Sequence, residues 1–179
     1  MTLNHWLSEQ VFEWSGIPTT NLRVTFFAEW LLYISAFIQR GRYIMPFNKN
    51  GRFAPLAAAD TAKIIANILE KPKGHGGQAY QLHGPKEYSH GELAAEVGRV
   101  LGIDLPFEQL TVWAFLELAE LEDHTVLRRH FEAAEIDQQE GLIAGTDEIG
   151  TKIIGAPLEA LAIFERFSFM PYTASQRKD

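Results

Sequence analysis

Hydrophobic positions change their period along the chain, and each change marks an element. Over residues 22–27, Leu22, Val24 and Phe26 alternate with Arg23, Thr25 and Phe27, the two-residue period of a strand. From Glu29 onward the apolar positions fall at Trp30, Leu31, Ile34, Phe37 and Ile38, the three-to-four spacing of a helical face that ends near Arg40-Gly41. A helix over 4–15 precedes this pair, with Leu7, Val11 and Trp14 on one face and Gly16 and Pro18 as its stop. Residues 43–47 read as a short strand, Asn48-Lys49-Asn50-Gly51 as a turn, and 53–56 as an extended piece. Asp60 is placed to cap a helix over 61–69 that buries Ile64, Ile65, Ile68 and Leu69. A glycine-rich break at 71–77, the most flexible-looking loop, leads to a strand over 78–82 closed by Gly84-Pro85. Ser89-His90-Gly91-Glu92 is a capping box for a helix that ends at Gly102. Residues 105–110 suggest a strand. Residues 111–140 are mostly helical with a break near Asp123, and 146–154 and 157–167 give two short helices separated by Gly155. Strands alternate with helices in the first two-thirds and helices cluster at the end, the order of an α/β chain with parallel connections.

In open α/β sheets ligands bind outside the carboxyl ends of the strands, so residues 25–29 are the first place to look for a site. Arg23 inside an apolar strand needs an acidic partner or an edge, because a buried unpaired cation is costly.

Composition narrows the picture. The chain has 179 residues, enough for one domain with a real core, expected over 1–172 with a frayed tail at 173–179. A net charge of −7 argues against a nucleic-acid partner, which calls for a basic patch. The absence of cysteine excludes disulfides, thiolate catalysis and cysteine–zinc sites. The six histidines show no ligand spacing, so no metal is expected. The longest apolar run, 28–38, is interrupted by Glu29 and Ser35 and is too short to span a bilayer. The N-terminus lacks a basic region followed by an apolar core. A cytoplasmic protein without membrane contact is the expectation.

Several ordered motifs carry a resemblance. Ser15-Gly16-Ile17-Pro18 leads to Asn21-Leu22-Arg23-Val24 and then Phe27-Ala28-Glu29-Trp30. Asp60-Thr61-Ala62 opens a helix, Tyr80-Gln81-Leu82-His83-Gly84-Pro85 closes a strand, and Ser89-His90-Gly91-Glu92-Leu93-Ala94 opens the next helix. Gly155-Ala156-Pro157 then leads to Leu161-Ala162-Ile163-Phe164. In this order the motifs resemble the C-terminal half of the NmrA-like family, an atypical short-chain dehydrogenase/reductase group. The resemblance implies an incomplete Rossmann-like parallel sheet with a helical C-terminal substrate lobe. The family's glycine-rich strand–turn–helix, which cradles the dinucleotide pyrophosphate, has no counterpart: Gly74-His75-Gly76-Gly77 follows a helix and precedes a strand.

The same resemblance implies site residues. His5 falls where many relatives carry the lysine that steadies the nicotinamide ribose, or is a polar residue at a helix start. Thr25, Phe26 and Phe27 match the loop that closes over the nicotinamide ring, unless the two phenylalanines are core. Glu29 matches the family's acidic position and Trp30 replaces its asparagine. Trp113 is expected at the substrate pocket, with Phe115, Phe131 and Phe164, or these aromatics are core. The Y-x-x-x-K pair of conventional dehydrogenases is absent.

Two functions follow. One is the substrate lobe of an oxidoreductase with NADP or NAD as cofactor, which transfers hydride from the reduced dinucleotide to a small carbonyl or quinone when completed by the missing half. That chain would bind the dinucleotide weakly by itself. The other is a non-catalytic redox-sensing or protein-interaction module with a protein partner. An unproductive fragment is the bland third reading. Both the first and the third expect self-association through an exposed sheet face.

Overall fold

Strand β1 (Asn21–Val24) lies parallel to β4 (Ala79–Leu82), with Asn21 opposite Ala79 and Val24 opposite Leu82. This is a computed structural model that describes residues 3–146 and 148–158. The elements between the two strands are α2 (Trp30–Tyr33), α3 (Ser35–Ile38), β2 (Tyr43–Met45), β3 (Arg52–Phe53) and α4 (Ala58–Glu70), and α1 (Leu3–Trp14) precedes β1. After β4 come β5 (Tyr88–Ser89), α5 (His90–Leu101), β6 (Phe107–Gln109), α6 (Val112–Leu118), α7 (Thr125–Gln139) and α8 (Ile149–Ile154). Among the described residues the strands form three two-stranded sheets: β1–β4 and β2–β6 parallel, β3–β5 antiparallel. The architecture is α/β, with small parallel sheets and substantial helix.

The chain past β1 bends onto a second strand-like segment. The Leu56 N–H donates to Phe26 O at 2.8 Å and the Ala28 N–H to Leu56 O at 3.0 Å. The Gly84 N–H donates to Ala54 O at 2.9 Å. Residues 54–56 therefore run between the ends of β1 and β4, and Gly84 lies so close that a methyl there would strike the Pro55 carbonyl. This close backbone approach is what Gly84 permits.

Two apolar clusters hold the fold. One gathers buried residues from α2, α3, β2, α5, α6 and α7, among them Leu31, Ile38, Ile44, Val97, Phe115 and Phe131. The other packs Ile64 and Ile68 of α4 against Leu56, Leu82 and Leu158, with Leu22 and Val24 of β1 alongside. Helix α5 carries the expected capping box: Ser89 Oγ accepts from the Glu92 N–H at 3.2 Å, and the Ser89 N–H donates to the Glu92 carboxylate at 2.7 Å. Its C-cap Gly102 takes a left-handed φ of 69°.

The structure departs from the sequence reading at five places. Of the four apolar residues expected to be buried on α4, Ile64 and Ile68 face the core, whereas Ile65 and Leu69 fall off that face and are exposed. The single helix expected after Glu29 is two short turns broken at Ile34, where Tyr33, Ile34 and Ser35 put three weak helix formers in a row. Helix α4 begins two residues before Asp60, which sits buried in the first turn with Lys63 at 3.1 Å. There its carboxylate faces the positive end of the helix dipole. The loop 71–77 is anchored rather than free, since the Gly77 N–H donates to Thr19 O and the Thr20 hydroxyl to His75 O. On α1, Leu7, Val11 and Trp14 are exposed, so the apolar face read there is not covered by any described residue. The helix expected over 157–167 and the tail lie outside the described residues, apart from Pro157 and Leu158.

Candidate functional site

A cleft of about 780 Å³ opens along β1 and the segment after it, between α1 and α7. His5, Thr25, Phe26, Phe27 and Trp30 all line it, so five residues singled out from the sequence share one wall system. Phe26 is fixed edge-on to Phe53, with ring centroids 4.9 Å apart. Trp30 stacks on His130 of α7 at 6.4 Å and meets Phe131 edge-on at 5.4 Å. Phe27 is 38% exposed, an apolar ring left open at the cleft. Such an aromatic surround suits a flat ring.

The polar groups divide into those that hold the walls and those that remain uncommitted. The Thr25 hydroxyl donates to the main-chain carbonyls of Leu82 and Ala54, at 3.2 and 3.4 Å, which ties β1 to the neighbouring segments. Arg23 is exposed at the open edge of β1 and makes a bidentate pair with Glu9 of α1, at 2.9 and 2.6 Å. The Arg23 hydrogen bond holds the Glu9 carboxyl below its usual range. His5 stands on the exposed face of α1 at the cleft rim.

Two expected pocket residues have other places. The Glu29 carboxylate accepts the Ala58 N–H at 2.9 and 3.0 Å, so it caps α4 from outside and does not line the cleft. Trp113 is 53% exposed and lines no part of the cleft. The inward face of α6 belongs to Val112, Phe115 and Leu116, at helical spacing, and Trp113 falls off it. Glu29 instead borders a second groove, between α3 and α6, which Trp30 lines as well as the first cleft.

The sequence reading passed over the two residues at the cleft floor. The His90 ring is 1% exposed, stacked on Phe47 and Phe107 with centroids 5.4 and 5.5 Å away. Burial pushes its imidazole down to about 3, so it is neutral at ordinary pH. Gln138 of α7, also buried, places Nε2 at 3.0 Å from His90 Nε2. An amide nitrogen only donates, so His90 Nε2 accepts and the ring proton sits on Nδ1. His90 Nδ1 and Gln138 Oε1 are both buried without a hydrogen-bond partner. The available signal was spacing: position 90 shares a helical face with Leu93, Ala94 and Val97. Among the described residues no three histidine or acidic side chains cluster to hold a metal ion. No described helix is long and apolar enough to cross a membrane.

No family model matches the chain. It is 32% identical over 113 residues to an NAD(P)H azoreductase of Xenophilus azovorans, a match that covers 62% of this chain and 39% of that protein. It is 30% identical over 105 residues to a (4-alkanoyl-5-oxo-2,5-dihydrofuran-3-yl)methyl phosphate reductase of Streptomyces griseus, over 59% of this chain and 37% of that one. Among solved structures it is similar to an NADPH-dependent quinone oxidoreductase of Escherichia coli complexed with NADPH. That likeness has a TM-score of 0.76 at 26% identity, over 89% of this chain and 56% of the other. A Citrobacter triphenylmethane reductase complexed with NADP(H) shares the fold at 19% identity and a TM-score of 0.72. The fold is that of NAD(P)-dependent reductases and epimerases. The matched region spans 39% of the azoreductase's length and 56% of the quinone oxidoreductase's.

Proposed function

We propose that this chain provides the ring-binding and substrate lobe of an NmrA-like, NAD(P)-dependent oxidoreductase acting in the cytoplasm on a small carbonyl or quinone. The observation that carries this reading is the convergence of His5, Thr25, Phe26, Phe27 and Trp30 on one aromatic cleft. The likeness to NADPH-bound reductases supports it. The described residues fit the ring end of a dinucleotide: Phe26, Phe27 and Trp30 would flank the nicotinamide, with His5 at the rim to meet its ribose. They offer no glycine-rich turn between a strand and a helix, so the pyrophosphate has no cradle among them. Bound, the cofactor supplies the hydride. The chain's own part is to position rings and to exclude water with its phenylalanines.

Thermal unfolding with NADPH and with reduced nicotinamide mononucleotide tests this. A ligand held only through its ring end stabilises the folded chain in either form. Tenfold over the dissociation constant, the midpoint rises by about 3–5 °C. Phe27→Ala removes most of that rise. A midpoint unmoved by both compounds refutes the reading. A second reading, a non-catalytic redox-sensing or interaction module, is favoured by the exposed Trp6, Leu7, Val11, Phe12 and Trp14 of α1. It expects concentration-dependent association in sedimentation that Val11→Ala and Trp14→Ala weaken, so that the face of α1 rather than a sheet face carries it; association unchanged by both variants, or one monomeric species at every concentration, refutes it.

A further inference from the structure

Among the described residues, strand β1 is paired along one edge only, with β4. The Asn21 N–H donates to Gln78 O at 2.8 Å and the Thr25 N–H to Leu82 O at 3.1 Å. Main-chain groups alternate in direction along a strand, so Arg23 also faces β4, whereas Leu22 and Val24 turn their N–H and C=O groups the other way. No described group pairs with those N–H and C=O groups. The cleft runs along this edge: residues 20–27 line it without a gap, a length of about 25 Å at strand spacing. A ring held by Phe26, Phe27 and Trp30 takes up only the end beyond Thr25. Beside Leu22 and Val24 the cleft is walled on both faces of the strand. On one face, Glu9 of α1 holds Arg23. On the other, Thr61 and Ile65 of α4 line the cleft, and Leu22 and Val24 pack with Ile64 and Ile68. Unpaired main-chain donors and acceptors in such a setting are what an added strand recognises.

We propose that the open edge of β1 is a docking site for one extended strand of another polypeptide, joined to Leu22 and Val24 by main-chain hydrogen bonds. The walls set the side chains of that strand. Toward α4 they are apolar, to meet Leu22, Val24 and Ile65. Toward α1 they are small, polar and uncharged, because Arg23 and Glu9 already neutralise each other. A second copy of the chain fits poorly. Its β1 arrives flanked by its own α1 and α4, and the helices of the two copies would meet before the edges do. A single strand without flanking helices passes between the walls. Helices on both faces are the ordinary surroundings of a strand inside a parallel sheet, so the added strand is covered as its neighbours are. The proposal goes beyond the ring-binding reading and does not depend on it.

The test is residue-resolved amide exchange of the full chain, alone and with a soluble peptide probe, acetyl-Lys-Thr-Val-Thr-Val-Thr-Lys-amide, at millimolar concentration. In the free chain the Leu22 and Val24 amides exchange fast and those of Arg23 and Thr25 slowly. The peptide slows Leu22 and Val24 about tenfold, as a ligand at tenfold its dissociation constant does, and leaves Arg23 and Thr25 nearly unchanged. The same peptide N-methylated along its backbone keeps the side chains, loses its donors and gives no slowing. Val24→Pro removes one edge donor while sparing the β4 ladder, and weakens the peptide's effect at Leu22. If that variant fails to fold, the N-methylated peptide carries the control. The proposal is overturned by edge amides already slow in the dilute free chain, by no slowing with the peptide, or by equal slowing with the N-methylated form. Slowing that grows with chain concentration alone also overturns it, since a second copy would then be the occupant. A midpoint rise with NADPH and no strand protection sinks this proposal alone. Strand protection without that rise sinks the ring-binding reading alone.

Discussion

Lowering the pH from 7.5 to 5 forces a choice on His90. In the unfolded chain its imidazole takes a proton near 6.5, whereas burial in the folded chain pushes it down to about 3. The depressed base makes the unfolded chain the better proton acceptor, so stability is full above pH 6.5 and falls below it. The slope approaches about 1.4 kcal/mol per pH unit, and the loss accumulated by pH 5 is about 2 kcal/mol. For a chain of this size that lowers the melting midpoint by about 4–8 °C. The geometry adds to the effect, since a protonated ring would turn a second donor toward the Gln138 amide nitrogen. The assay is a set of circular dichroism melts on wild type and His90→Phe in matched buffers. The other five histidines are common to both proteins and cancel in the difference. Carboxyls held low in the folded chain, such as Glu9 and Glu87, weaken the fold only below about pH 5, outside the window. The wild-type midpoint should fall through this window and the variant's should stay nearly level. Parallel curves would refute the assignment of a buried, neutral His90.

Three further outcomes are expected. Glu29→Ala removes the acceptor for the Ala58 N–H and lowers stability by about 1 kcal/mol in urea unfolding, while the midpoint rise with NADPH stays unchanged; a lost rise at full stability would give Glu29 a role in the cleft. Gly84→Ala drives a methyl into the Pro55 carbonyl and costs about 3 kcal/mol or more, read as a collapsed thermal midpoint; a near-neutral effect would refute the close approach of the two segments. Arg23→Ala breaks an exposed pair and costs under about 1 kcal/mol globally, yet amide exchange in α1 quickens; unchanged exchange would mean that other groups hold α1.

Elements with their own local signals were legible in the sequence. The capping box at Ser89–Glu92 and the alternation over 22–27 are local devices; the box forms as read, and the alternation forms a strand as far as Val24. The cleft was legible on one side only. Residues 25–27 follow from the rule that ligands gather beyond strand ends, but the opposite wall comes from α7, a hundred positions along, and no local pattern announces that meeting. Asp60 has cap chemistry, yet the acceptor that caps α4 comes from Glu29, far away in sequence. Trp113 and Phe115 have the same hydrophobicity signal, and only the helix's packing decides which of them turns inward. His90 was hidden because the capping box explained its neighbours completely.

The meeting of β1 with partners so far along the chain has a consequence during synthesis. On the ribosome, residues 21–27 emerge roughly 50 positions before β4 and roughly 100 before α7, which at ordinary elongation rates is an interval of about 5–20 s. Until then Leu22, Val24 and Phe26 have only the partners supplied by residues 53–68, without the strand and the helix that complete their surroundings, and α1 ahead of them bears exposed tryptophans as well. The nascent segment 21–27 is thus an early client for a holding chaperone, and the yield of folded chain should depend on translation speed more than the finished stability does.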